Sequence, residues 1–283
     1  MRSGRLGGFL AALLAGTTAL ASESRPAAEA EAADFAKLEG LGEVRYHKLH
    51  ATSLDQMYHL FVRLPEGYAE AKERYPTVYL LDGGLTFPLL AAYYRYLDLG
   101  DEVPELILVG ISYGTDDWKK GNNRSRDYTA KSAEREHWGG APAFQAVLRD
   151  QILPAVEGRY RSDPARRIVF GQSLGGQLVL HAALTAPDLF WGYVASNPAL
   201  HRNLDFFLKT PPAVPAGERR LFVASGEKDE PQYRGPARAW IDHWTRAKNR
   251  PWTLETATLP GQSHFSAPPA AFRAGISWLF SAP

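Results

Sequence analysis

Cysteine does not occur once in the 283 residues. That excludes a disulfide framework, a thiolate-bound metal and a cysteine nucleophile, and it excludes export as a lipoprotein, whose processing needs a cysteine. Charge of either sign is not in surplus. The 32 Lys and Arg stand against 31 Asp and Glu, a formal net charge of +1, so neither a nucleic acid nor a polycation is the expected partner. A bilayer-spanning run is also missing. Spanning takes about 20 apolar residues, and the stretch from Leu6 to Leu20 is short and glycine-rich. Arg2 and Arg5 precede that stretch and Ala19-Leu20-Ala21 closes it, the pattern of a secretory signal peptide. Residues 1–21 are therefore expected to be a signal peptide, with an uncleaved anchor as the alternative, and the mature chain to be periplasmic or secreted. Residues 22–40, rich in Ala and Glu without periodicity, read as a flexible leader.

What is present suits one large core. Hydrophobic residues make up 45% of the chain, an ordinary globular share. No repeat or linker divides residues 41–283, which are expected to form a single domain. Val44, Tyr46 and Leu49, then Met57, His59 to Val62 and Leu64, suggest two strands of an antiparallel hairpin ending at Pro65-Glu66-Gly67. Short apolar runs follow at 77–81, 106–111, 167–170, 193–195, 220–224 and 252–258, as expected of strands covered on both faces. Helical spacing over 144–160, 177–184, 240–248 and 270–280 alternates with them. The expected architecture is α/β, with a mostly parallel central sheet, an N-terminal antiparallel hairpin and helices on both faces. Residues 112–142 break the alternation. They are polar and aromatic, with Trp118, Arg124, Arg126, Tyr128, His137 and Trp138, and a connection this long is expected to be a functional loop or small cap.

The chemistry concentrates at Gly171-Gln172-Ser173-Leu174-Gly175. This is the G-x-S-x-G nucleophile elbow of the α/β-hydrolase fold. The pentapeptide alone is a weak signal, but Ile168-Val169-Phe170 before it reads as a strand and Leu178-Val179-Leu180 after it as a helix. The tight turn is expected to need glycine at both 171 and 175. A serine hydroxyl needs a base, and in this fold the acid and then the histidine follow the serine. Of the eight histidines, His181, His201, His243 and His264 follow Ser173. His181 falls on the next helix as a packing residue, His243 falls mid-helix, and His201 falls near a pocket rim. His264, between the last strand and the last helix, is the expected base. The acid should follow the strand at 220–224, where Glu227, Asp229 and Glu230 compete; Asp229 is favoured, with Glu230 and Glu227 left open. The oxyanion donors are expected to be the backbone N–H groups of Leu174 and of Gly84, in Asp82-Gly83-Gly84-Leu85 after the strand at 77–81.

With these residues placed, the chain resembles the putative-esterase family of α/β-hydrolases. That family includes enterochelin (siderophore) esterases, feruloyl esterases, S-formylglutathione hydrolases and mycolyltransferases. The resemblance runs from about Val44 onward. It rests on Leu64-Pro65-Glu66-Gly67-Tyr68, Tyr79-Leu80-Leu81-Asp82-Gly83, Arg126-Asp127-Tyr128-Thr129, Ile152-Leu153-Pro154, Gly171–Gly176, Gly226–Asp229 and His264, with spacing similar to the enterochelin-esterase-like branch. The resemblance implies Ser173 as nucleophile, His264 as base and a carboxylate after Gly226. Two departures stand out. Asn197-Pro198-Ala199-Leu200-His201 replaces the family's Ser-Pro-x-x-Trp, and Asp229 stands where the branch often has Glu.

The expected activity is hydrolysis of a carboxylic ester, a siderophore or aryl ester among the candidates, through an acyl-enzyme. No metal and no cofactor is required. Acyl transfer by the same triad and a non-catalytic binding protein are the alternatives. Leu85, Arg126, Tyr128, Trp138 and His201 are the expected substrate contacts; for Arg126 and Asp127 the plainer expectation is a structural ion pair.

Overall fold

Alternating apolar runs and helices close into one eight-stranded sheet in the computed structural model, which describes residues 38–281. The signal-peptide expectation for residues 1–21, and most of the leader, lie outside the described residues. In chain order the strands are β1 (Val44–Ala51), β2 (Gln56–Arg63), β3 (Tyr75–Leu80), β4 (Ile107–Ser112), β5 (Ser162–Gln172), β6 (Gly192–Ser196), β7 (Arg220–Gly226) and β8 (Thr253–Leu259). Their spatial order is β1-β2-β4-β3-β5-β6-β7-β8. β1 pairs antiparallel with β2, and β2 with β4; every pair from β4 to β8 is parallel. This is the α/β-hydrolase fold.

The helices are α1 (Gly83–Leu99), α2 (Arg124–Asp127), α3 (Ala141–Val147), α4 (Leu153–Glu157), α5 (Leu174–Thr185), α6 (Leu204–Lys209), α7 (Pro231–Arg246) and α8 (Pro268–Phe280). Side chains alternate across each central strand, and this divides the core in two. Tyr79, Val169, Tyr193, Ala195, Leu221 and Val223 face the layer built by α3 to α7. Val78, Leu80, Ile168, Phe170, Val194 and Phe222 face the layer of α1 and α8. Within this second layer Gly275 of α8 crosses β6 so closely that a Cβ would lie 2.6 Å from Val194.

Three expectations change. The helical spacing over 144–160 is not one regular helix. α3 and α4 flank a π-turn at Leu148–Ile152, where the Leu153 N–H reaches back to the Leu148 carbonyl. Pro154 is the cause, since it has no N–H and its ring crowds the carbonyl four residues earlier, so the ladder widens. Helices α1 and α6 were not expected. Gly83, Gly84 and Pro88 weaken the helical signal of α1, but the Thr86 hydroxyl donates to the Leu81 carbonyl at 2.7 Å and the buried Phe87, Leu90, Tyr94 and Leu97 supply the apolar stripe that holds it. Residues 112–142, expected as a functional loop or small cap, are anchored in the core. Asp127, Tyr128, Thr129 and Ala130 are buried, and the fully buried Asp127 carboxylate accepts from the Tyr58 and Tyr113 hydroxyls at 3.0 and 2.9 Å and from Arg126 Nε at 2.7 Å.

Register sets the site. Leu80 lies opposite Phe170, Gln172 opposite Ser196, Ser196 opposite Ala224 and Gly226 opposite Leu259. The carboxyl ends of β3, β5, β6, β7 and β8 therefore reach one edge at one level, and the residues just past them meet there.

Candidate active site

Ser173 follows β5 and opens α5 with φ 60° and ψ −116°. An L-residue is strained at positive φ, and three backbone bonds hold it there. Its N–H donates to the Ser196 carbonyl at 3.0 Å, and its own carbonyl accepts from Gln177 at 2.9 Å and Ala199 at 3.0 Å. The glycine requirement is half as expected. A Cβ at Gly171 would lie 2.3 Å from the Gly175 backbone, but one at Gly175 would make only ordinary contacts, the nearest 3.5 Å to Leu81. The second tight position is Gly176, where a Cβ would meet the Ser196 carbonyl at 2.9 Å and Pro198 Cα at 3.1 Å.

The structure brings Ser173, His264 and Asp229 into one hydrogen-bonded chain. The Ser173 hydroxyl lies 2.9 Å from His264 Nε2, and His264 Nδ1 lies 2.9 Å from Asp229 Oδ1. With the carboxylate ionised, Nδ1 carries the proton and Nε2 is left to accept from the hydroxyl. Asp229 and His264 are buried, while Ser173 is half-exposed. Asp229 Oδ1 also accepts the Glu230 N–H at 2.8 Å. The competing acids are engaged elsewhere. Glu227 accepts the Gly261 N–H at 2.7 Å and Glu230 accepts from Gln232 at 2.6 Å, both near solvent.

Asn197 and Gln172, neither of them expected at the site, hold the histidine loop. The fully buried Asn197 takes φ 40°. Its Nδ2 donates to the carbonyls of Ser263 and His264 at 3.2 and 3.3 Å, and its Oδ1 accepts the Gly226 N–H at 2.7 Å. Gln172 Nε2 donates to the His264 carbonyl at 2.5 Å. The signal for Asn197 was its place right after a strand, at the point where the family's serine is replaced. Asn is among the few residues that tolerate positive φ.

Gly84 and Leu174 occupy the first turns of α1 and α5, where backbone N–H groups have no partner within the helix. The first α5 bond runs from Gln177 to Ser173, and the first α1 bonds from Leu85 and Thr86 to Asp82. These two helix starts are neighbours, since β3 and β5 pair directly and a Cβ on Gly175 would sit 3.6 Å from Asp82 Oδ2. Asp82 itself is at φ 54°. Arg124 grips the Asp82 carboxylate with a bidentate pair at 2.7 and 2.8 Å, and the Asp82 N–H donates to the Tyr128 hydroxyl at 3.2 Å. Burial works against the Arg124 charge, but the Asp82 carboxylate more than offsets it and holds the guanidinium above its ordinary range.

The expected substrate contacts separate. Leu85 is 76% exposed beside Gly84, and Trp138 and His201 are half-buried. Tyr128 has no exposed surface and supports the Asp82 turn from inside. Arg126 is paired to Asp127 at 2.7 Å, as the plainer expectation had it. Tyr128 therefore does not stand as a ligand contact, whereas the Arg126 side chain stays 36% exposed beside its pair with Asp127. Phe265, missed in the sequence, is 85% exposed next to His264. Among the described residues no group of His, Asp and Glu can hold a metal ion, and no helix is long and apolar enough to cross a membrane.

The chain matches the Esterase family model, described as putative esterase, over residues 51–276. It is 32% identical over 169 residues to the ferri-bacillibactin esterase BesA of Bacillus subtilis, covering 55% of this chain and 58% of that protein. It is 31% identical over 188 residues to the apo-salmochelin esterase of Escherichia coli O6:H1, covering 61% and 58%. The chain thus spans less than two thirds of either relative's length. An IroE-like serine hydrolase from Shewanella oneidensis superposes with a TM-score of 0.73 at 25% identity, over 84% of this chain and 80% of that one. The siderophore hydrolase EstB from Aspergillus nidulans has the same fold, with a TM-score of 0.68 at 20% identity, over 85% and 96%. With four fifths of its length matched by that family model, the chain belongs to the putative-esterase family.

Proposed function

We propose that the protein is an exported serine esterase that hydrolyses a carboxylic ester, of the siderophore or aryl ester class, through an acyl-enzyme. The observation that carries this reading is the unbroken hydrogen-bond chain from Asp229 through His264 to Ser173. In the proposed mechanism Ser173 Oγ attacks the ester carbonyl while His264 Nε2 takes its proton, and Asp229 stabilises the imidazolium that forms. The N–H groups of Leu174 and Gly84 receive the charge that develops on the carbonyl oxygen. His264 then protonates the leaving alcohol, and water, activated by the same imidazole, releases the acid.

The siderophore assignment draws on the relatives: one is named for ferri-bacillibactin and one for apo-salmochelin. Exposed Leu85 and Phe265 beside the two ends of the site suit an aryl or bulky apolar group. Export rests on the sequence pattern of residues 1–21, and a periplasmic or secreted location follows from it.

The test is a hydrolysis panel of aryl, acyl-chain and catecholate siderophore esters on the purified protein. Turnover is expected on aryl and siderophore esters, and Ser173→Ala should remove it while leaving the thermal melt within about 2 °C. A Ser173→Ala protein that still turns over overturns the nucleophile assignment. Turnover of aryl esters with none of the siderophore esters narrows the substrate to the former.

A further inference from the structure

The base is not held by hydrogen bonds alone. The Tyr233 ring, from the first turn of α7, lies face to face with the His264 imidazole, with centroids 4.4 Å apart and planes 28° apart. Phe265 meets the same imidazole edge-on at 5.3 Å and 82°. Tyr233 itself meets His201 edge-on, at 5.0 Å and 83°. His201 comes from the loop after β6, and its Nδ1 is buried without a partner, so the ring is held there by its contacts and not by a hydrogen bond at that atom. His201 and Tyr233 thus extend the ring contacts of His264, and nothing in the hydrolytic steps above uses either of them.

We propose that Tyr233 is a positioning residue for His264: its ring face fixes the plane of the imidazole and stabilises the imidazolium formed when Ser173 is deprotonated. The proposal rests on the reading of His264 as base. Its physical content is that a cation over an aromatic face is attracted by the ring quadrupole when it lies within about 6 Å of the centroid. The stacked geometry meets that condition. The neutral imidazole gains little from the same face, so the contact strengthens as charge develops, which is what lowers a barrier. Orientation adds to this. The imidazole must aim Nε2 at Ser173 and Nδ1 at Asp229 together, and a flat wall at van der Waals distance allows only rotations that keep the ring in that plane.

The polar and titratable groups that face His264 are few. Asp229 approaches from the turn after β7, Ser173 from the elbow and Tyr233 from α7, while His201 acts on it through space from the loop after β6. Burial first, then Arg202, hold His201 below the usual histidine range; Glu134 opposes them and Arg135 and His264 add to them. At neutral pH His201 therefore brings no second cation to the Tyr233 ring.

The test compares Tyr233→Phe and Tyr233→Leu by the pH profile of kcat/KM on a soluble aryl ester. The phenylalanine keeps the ring and should stay within about twofold of the parent. The leucine keeps the apolar bulk and loses the face. It should lower kcat by about 3- to 30-fold with KM little changed, and should move the acid limb to lower pH by about half a unit, because the protonated base has lost a stabilising partner. If the leucine variant loses its cooperative melt, Tyr233→Met is read by the same criteria. A leucine or methionine variant with the parent's kcat and acid limb overturns the proposal. So does an equal loss in the phenylalanine and leucine variants, which assigns the effect to the hydroxyl. His264→Ala, run alongside, separates the two levels: full turnover in that variant removes the base itself, whereas its loss beside an unchanged Tyr233→Leu removes only the role of Tyr233.

Discussion

At the scale of the residue, three carboxylates within four positions compete for one role, and geometry distinguishes them. Asp229 is buried and 2.9 Å from His264 Nδ1, whereas Glu227 and Glu230 bind backbone and Gln232 near solvent. If Asp229 orients and stabilises the imidazole, Asp229→Asn should lower kcat by about 10³-fold or more with the fold intact, because an amide favours the wrong tautomer. Glu227→Gln and Glu230→Gln should stay within about threefold, since both touched groups keep an acceptor. Steady-state kinetics on the three variants decides. A large loss at Glu230 with little at Asp229 would reassign the acid. The sequence brought the choice down to these three because a strand must be followed at once by the turn that carries the acid. It could not rank them further, because that ranking depends on which side chain the turn buries. Arg124 and Arg126 show the same limit. Both stand in one polar segment, yet one clamps Asp82 and the other a buried Asp127, and only the folded path of residues 112–142 says which is which.

At the scale of the element, α5 carries a buried titrating group outside the hydrogen-bonded chain of Ser173, His264 and Asp229. His181 is buried, accepts from Gln145 Nε2 at 2.7 Å through Nδ1 and stacks on Phe206 at 5.1 Å. Burial pushes its pKa down to about 4. In the unfolded chain a histidine takes up its proton near ~6.5, so between these values the unfolded state binds more protons than the folded one, and stability rises with pH. The contribution is complete above about 6.5, is lost as pH falls toward 4 and is flat below, on the order of 3 kcal/mol in all. Urea midpoints at pH 4 to 7.5 for the parent and His181→Gln should show a slope in that window that flattens in the variant. Equal slopes would place the acid sensitivity elsewhere. The packing role of His181 was readable from its place in an apolar helix. Helix α1 was not, because Gly83, Gly84 and Pro88 argue locally against a helix that Phe87, Leu90, Tyr94 and Leu97 secure only against the sheet.

At the scale of the whole molecule, the site is a consequence of register. Five parallel strands end level, and the chain spends strained backbone at that edge: Asp82, Ser173 and Asn197 all take positive φ there. Such strain is stored where the surrounding structure over-determines it, commonly at functional sites. The bonds to Ser196, Ala224 and Gly226 and the Arg124–Asp82 pair are that surround. The alternation of strand and helix made this architecture legible, and the order of elbow, acid turn and last histidine followed from it. The substrate did not follow, because it depends on rim side chains such as Leu85, His201 and Phe265 whose neighbours come from distant parts of the chain. The claim that Ser173 is the nucleophile of an esterase is tested most directly by mass spectrometry after exposure to a fluorophosphonate. The prediction is one covalent adduct per chain, mapped to the peptide containing Gly171–Gly176, absent from Ser173→Ala and formed at least about 100-fold more slowly in His264→Ala. An undiminished adduct in Ser173→Ala, or no adduct on a protein that is hydrolysing esters, would contradict it.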